Sequence, residues 1–557
     1  MELWVPGTVK EPEERAGRVF RGGRFRTMDP ANPEAQALGV WEGRLVYVGE
    51  DPAAAEESVR SRARAAGETG PRAVETVDLG GRAAVPGLID SHSHLIVEGV
   101  RLSQLDVSGK SLPEAAELVR AKAASLPPGS WLHGRGWDHN LWPGRGWPSR
   151  KDLDEAAGDA AVVLDRVDKH SVWVNSKALE LAGVRPDAAD PPGGEIIREA
   201  DGSLRGVLVG RAMRLVYDSM PLHDGLDPLE AYLAAEREML SLGLTTVIDC
   251  GTRAGDFRVL DKAYQAGAAT VRFHSFLQPE PWAEEILSGG PRRGLYGGKF
   301  SLDGVKLFSD GSLGSQSAWL AEDYADRPGH RGTHYYSDGE LEAVLAKIRD
   351  RGLQAAIHVI GDAAAAQAVR AMSKVLGAGS AARRWRLEHL QVAPPALARE
   401  AAALGLIPSI QSVGLMTDLH MALSRLGLRR LRDAYTWRRL LELSGLLING
   451  SDAPIETPDP FQGIYAACAR RDLDWRPEEG FRPEEGLTVI EALSSYTAWP
   501  AWAAFAEHDV GVLAEGRYAD ITVLDRDLRS VPVRELRGAR ALMTVIGGRP
   551  AWAADDF

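Results

Sequence analysis

The stretch AVPGLIDSHSH, Ala84–His94, divides this chain of 557 residues into two textures. Before it, from Val19 to about Pro86, short β-type segments are broken by turns; ALGVWEGRLVYVGE sets Glu42-Gly43 between two apolar runs, a hairpin signal. From it onward, apolar strand-like runs recur as LTTVIDCG, VRFHSFL, GVKLFSDG, LQAAIHVIGD, WRLEHLQ, IPSIQS and GLLINGSDAP. Most are separated by stretches such as GELEAVLAKIRDRG, whose apolar residues recur at helical spacing. Eight β units separated by helices predict an α/β chain whose residues 87–502 form a (β/α)8 TIM barrel rather than an open sheet.

The β style returns in GVLAEGRYADITVLD and ALMTVIGGRPAW, so residues 17–86 and 503–557 are expected to combine in a small β-sandwich domain built from both termini. The interval from His94 to about Pro228 is too long for one βα connection. It predicts a subdomain inserted at about 103–228. A composition of 44% hydrophobic and 26% charged residues is that of a soluble globular protein, and a net charge of −13 disfavours nucleic acid or an anionic membrane as partner. Two cysteines, Cys250 and Cys468, exclude a disulfide framework. The opening MELWVPGTVKEPEERAG lacks the apolar region of a signal peptide, and no apolar run approaches the ~18–20 residues of a membrane span. A cytoplasmic protein is expected.

Polar residues gather at the C-terminal ends of the proposed strands, the face on which barrels carry their sites. In DSHSH, His92 and His94 are two residues apart and share one strand face, as a pair of metal ligands would. His358, His389 and Asp452 each end a separate strand. Singly, such residues read equally as core histidines, a helix N-cap or a turn former. Four histidines and an aspartate at the same end of separate strands point to a metal centre. Lys306, in GVKLFSDGSLGS, is a lysine in an apolar strand, where lysine is seldom buried. It could be neutral through desolvation, a Schiff-base nucleophile, or carbamylated by CO2. Only the carbamate would make immediate use of the surrounding histidines.

VPGLIDSHSH, GVKLFSDGSLGSQSA, AIHVIGDAA, RLEHLQ, GSDAPIETPDPF and LTVIEALSSYTAWPAWAAF together resemble the amidohydrolase superfamily, within it the YtcJ-like group that includes N-substituted formamide deformylases. The resemblance runs from about residue 19 to the end. It implies that His92 and His94 bind one metal with Asp452, that His358 and His389 bind a second, and that carbamylated Lys306 bridges the two. Zinc is the usual metal, two per chain, and N/O ligation equally admits iron, manganese or nickel. The implied activity is hydrolysis of amide or related C–N bonds, of N-formyl or N-acyl amine type, by a metal-activated hydroxide, with Asp452 carrying the proton. A deaminase or cyclic-amide hydrolase on the same site is the alternative, and a barrel without chemistry a weaker one. By analogy the protein acts on a small molecule and is a homodimer.

For substrate binding, GRGWDHNLWPGRGW supplies Trp137, Asp138, His139 and Trp142, which either line an apolar site or pack the insertion. His139 stands where the family commonly has Gln. His170, in DKHSVWVNSKAL, matches a family histidine near the active site and is a candidate catalytic residue. Asp310 and Ser312 either line the site or shape the turn after Lys306; Asp249 ends another strand and either faces the mouth or makes a structural hydrogen bond, and Trp499 and Trp502 read as core.

Overall fold

The computed structural model describes residues 17–68, 74–143, 146–167, 171–191, 194–281, 283–377 and 380–557. They form two compact units, the described residues of 17–95 with 236–557, and those of 96–235.

The first unit contains the barrel. Its strands are β1 (Leu88–Ser93), β2 (Leu244–Thr252), β3 (Arg272–Leu277), β4 (Phe300–Phe308), β5 (Gln354–Val359), β6 (Arg386–His389), β7 (Ile407–Ile410) and β8 (Ile448–Asn449). Each pairs in parallel with the next, in chain order, from β1 to β8. A parallel bridge between Ser93 and Ala453 brings the last segment back to the first, so the sheet is nearly closed. Strands buried on both faces must be apolar almost throughout, which is why they read as continuous apolar runs. The helices around them carry the other period. Asp338–Asp350 is capped by Ser337 in a capping box with Glu340, and it buries Leu341, Leu345 and Ile348 at i, i+4 and i+7.

The chain ends form two further sheets in the same unit. One orders Arg44–Gly49, Ala37–Trp41, Gly17–Arg21 and Val74–Asp78. The other orders Arg549–Ala553, Ala541–Ile546, Ile521–Leu524, Ala83–Pro86, Arg24–Arg26 and Glu34–Ala35, so it draws on both termini. Glu42 and Gly43, with φ of 49° and 78°, make the tight turn of the expected hairpin. Phe20, Phe25, Leu38, Ile521, Val523 and Val545 belong to one buried cluster fed by both sheets. Arg272, at the start of β3, is joined to Asp520 by two bonds of 2.6 and 2.9 Å, both side chains being 3% exposed.

The second unit, Ile96–Ala235, is built on a six-stranded sheet ordered Gly194–Arg198, Leu204–Gly210, Ser171–Val174, Ala161–Arg166, Trp131–Trp137 and Leu105–Asp106. Trp137, Trp142 and Trp173 are packed in its core with Leu132, Leu153 and Leu164. Among the described residues of the chain, no helix is long and apolar enough to cross a membrane.

Candidate metal centre

Barrel geometry carries six of the expected residues to one end of the strands. His92 lies on β1 and His94 directly after it, Lys306 on β4, His358 on β5, His389 at the end of β6 and Asp452 just past β8. His94 Nε2 and His92 Nε2 lie 3.1 and 3.4 Å from Asp452 Oδ1, and Lys306 Nζ lies 3.1 Å from His92 Nε2. The ring of His389 is 5.2 Å from that of His92 and 4.4 Å from that of His358. His389, Leu390 and Asp452 hold positive φ of 69°, 41° and 60°, a cost of roughly 1–3 kcal/mol each that the surrounding structure must impose. Gly450 is required by packing, because a Cβ there would stand 2.4 Å from the backbone nitrogen of His92.

The electrostatics suit ligation. Burial, reinforced by the Lys306 cation, lowers His92 to about 4 and His358 to about 3, so both rings are neutral at neutral pH. Burial and His358 likewise hold His389 well below the usual range. Burial opposes the charge on Asp452, yet His92 and the hydrogen bond with His94 outweigh it and keep the carboxylate ionised. His92, His389 and Asp452 offer one donor atom each within 4.8 Å of one another. Neutral imidazoles and a carboxylate converging in this way fit a divalent transition metal, zinc included.

Two residues that the sequence reading passed over organise this set. Asp90, wholly buried, accepts N–H bonds from His92 and Ser451 at 3.0 Å each, tying β1 to the segment that carries Asp452. Burial pushes its carboxyl up to about 6. Glu388, beside His389, accepts from His92 Nδ1 at 2.5 Å. Asp90 stands inside the DSHSH motif and Glu388 inside RLEHLQ, so the signal available was a carboxylate within two residues of a candidate ligand histidine.

The other expected site residues have different surroundings. Asp310, expected either to line the site or to shape the turn after Lys306, is buried where two loops meet. Its carboxylate accepts the backbone N–H groups of Ile360, Gly361 and Trp319 at 3.0, 2.8 and 2.9 Å, and its Oδ1 also lies 3.5 Å from His358 Nε2. Ser312 joins Ser315 and Ser317 in an exposed hydroxyl cluster of the same turn. Asp249 accepts from Leu95 N and Thr252 Oγ1, a structural role. Trp499 and Trp502 pack on Ile407 and Ile448, as core residues do.

Trp137, expected to touch substrate, instead has no exposed surface and donates its indole N–H to Leu164 O at 2.7 Å, which makes it a core residue of the second unit. Trp142 packs beside it, with ring centroids 6.1 Å apart. Asp138 pairs with Arg166 at 3.0 Å, and His139 stacks on Trp147 at 4.4 Å, so both are engaged within that unit. His170 lies outside the described residues.

A nearly closed parallel barrel with histidine and carboxylate donors at its strand ends is the construction of a metal-dependent hydrolase. Residues 75–551 match the model of the Amidohydrolase family, and the chain belongs to that family. It is 30% identical over 540 residues to YtcJ of Bacillus subtilis (strain 168), covering 95% of this chain and 98% of that one. It is 28% identical over 541 residues to the N-substituted formamide deformylase of Arthrobacter pascens, covering 94% and 96% of the two chains. Among solved structures, a metal-dependent hydrolase from Pyrococcus furiosus superimposes with a TM-score of 0.76 at 27% identity, covering 92% of this chain and all of that one.

Proposed function

We propose that the protein hydrolyses amide or related non-peptide C–N bonds of small molecules, with N-formyl and N-acyl amines as the substrate class. The reading is carried by one observation, the convergence of His92, His94, His358, His389 and Asp452 around Lys306 at the barrel's C-terminal end. Similarity to a formamide deformylase over nearly the whole chain supports the substrate class.

His92, His94 and Asp452 would hold one divalent ion, taken here as zinc, and His358 and His389 a second. Such ions lower the pKa of bound water towards ~7 and polarise a carbonyl oxygen. Asp452, ionised and 3.1 Å from His94, accepts a proton from the attacking water and returns it to the leaving nitrogen, so that the amine departs neutral. Lys306 would be carbamylated by CO2: its ammonium first gives up a proton to solvent, the freed amine nitrogen attacks the carbon, a second N–H proton leaves to solvent, and a carbamate replaces a cation that would repel the metals. The two sheets of the chain ends read as the composite β-sandwich that accompanies such barrels.

The deciding experiment is Asp452→Asn assayed on metal-loaded enzyme with N-formyl and N-acyl amines. Loss of a positioned acid–base group is expected to lower kcat by ~100- to 10,000-fold while most metal remains bound. Near-normal turnover would overturn the role of Asp452. Ammonia release from a nitrogen heterocycle, with no turnover of N-acyl amines, would move the assignment to a deaminase.

A further inference from the structure

Arg386 and Glu388 are two apart on β6 and share a strand face, and both reach back to β1. Glu388 Oε2 lies 2.5 Å from His92 Nδ1, 2.6 Å from Ser409 Oγ and 3.1 Å from Arg386 Nη2, while Oε1 accepts from Arg386 Nε at 2.7 Å. Arg386 Nη2 also donates to Ser91 O at 2.6 Å, so the same guanidinium holds the backbone next to His92. Neither charged side chain is more than 1% exposed.

An arginine paired in this way keeps Glu388 as a carboxylate, which can only accept hydrogen bonds. The proton between Glu388 and His92 therefore sits on Nδ1 of the histidine. Gln411 Nε2 lies farther from that nitrogen, at 3.2 Å, and the shorter bond to a charged acceptor decides the tautomer. His92 Nε2 is left with its lone pair, facing Lys306 and Asp452.

We infer that Glu388 is a positioning residue for the metal centre: through its bond to Nδ1 it fixes the His92 tautomer and ring orientation that present Nε2 as a ligand, with Arg386 and Ser409 holding the carboxylate in place. The inference rests on the reading of His92 as a metal ligand. Carboxylates that orient ligand histidines characteristically contribute about 10- to 100-fold to metal affinity.

The test is metal binding, measured on the purified full chain by competition with a chromophoric chelator for Zn2+, and by the visible spectrum of the Co2+-loaded protein. Glu388→Gln is expected to weaken affinity by about 10- to 100-fold and to shift the Co2+ absorption bands. Asp520→Asn, which breaks a buried ion pair on a different strand, is expected to lower stability while keeping affinity and spectrum. Should Glu388→Gln fail to fold, Arg386→Gln/Glu388→Gln removes both charges together and is expected to show the same loss. Wild-type affinity and spectrum in a folded Glu388 variant would overturn the inference. So would an affinity loss equal to that of Asp520→Asn. A wild-type chain that takes up no metal would overturn this and the proposed function together. A chain that binds metal but hydrolyses no amide would sink only the proposed function.

Discussion

The stability of the second unit is expected to depend on pH through His133. This imidazole lies between two carboxylates, with Nδ1 2.7 Å from Asp224 Oδ2 and Nε2 3.3 Å from Asp165 Oδ2. Asp165 also accepts from the Tyr217 hydroxyl, so its position is set from two sides. Burial disfavours the imidazolium, but Asp165 and Asp224 outweigh it and raise His133 to about 9. The unfolded chain binds the same proton with a pKa of about 6.5. A raised histidine stabilises fully below the unfolded value and loses its contribution as pH climbs through the folded one. The difference amounts to ~3 kcal/mol at ~1.4 kcal/mol per pH unit, present at pH 6 and gone above about pH 9.

The assay is hydrogen exchange read by mass spectrometry on peptides covering Trp131–Trp137 and Ala161–Arg166, corrected for intrinsic rates between pH 6 and 9.5. Protection should fall by up to ~100-fold across that range in wild type, and the slope should vanish in His133→Gln. Flat protection in wild type, or the same slope in the variant, would refute the reasoning.

Removing the Asp520 charge by Asp520→Asn leaves Arg272 buried without its counter-ion and should cost ~3–5 kcal/mol in denaturant unfolding. An effect under ~1 kcal/mol would mean that the pair is solvated. Gly450→Ala drives a methyl group to 2.4 Å from the His92 backbone, so it should cost ~1–3 kcal/mol and weaken Zn2+ binding. Unchanged metal affinity in that variant would show that β1 can shift without moving its ligand. Mass spectrometry of the intact wild-type chain under bicarbonate should detect one added CO2, absent from Lys306→Met.

Much of the barrel was legible from alternation alone, because strands buried on both faces and helices buried on one leave different periods in the chain. The candidate metal-binding residues were legible as a group for a related reason: a histidine or aspartate closing an apolar run is conspicuous. Trp137 shows the limit. An indole in a glycine-rich stretch carries the same letters whether it faces a substrate or a core, and only its packing against Trp142, Trp173 and Leu164 settled the matter. Asp310 is similar, since the N–H groups of Ile360 and Gly361, which lie 50 and 51 residues away along the chain, converge on it together with that of Trp319 from its own loop.

By itself, then, the sequence determined the order of strands and helices, the residues at each strand end and the likeness to a family of barrel hydrolases. Tertiary structure alone decided which of those groups face one another. His92 and Glu388 lie 296 residues apart, and their 2.5 Å contact exists only because β6 and β1 enclose the same space. Local patterning follows from neighbours along the chain, whereas the orientation of the His92 ring follows from partners that only the nearly closed barrel brings within reach.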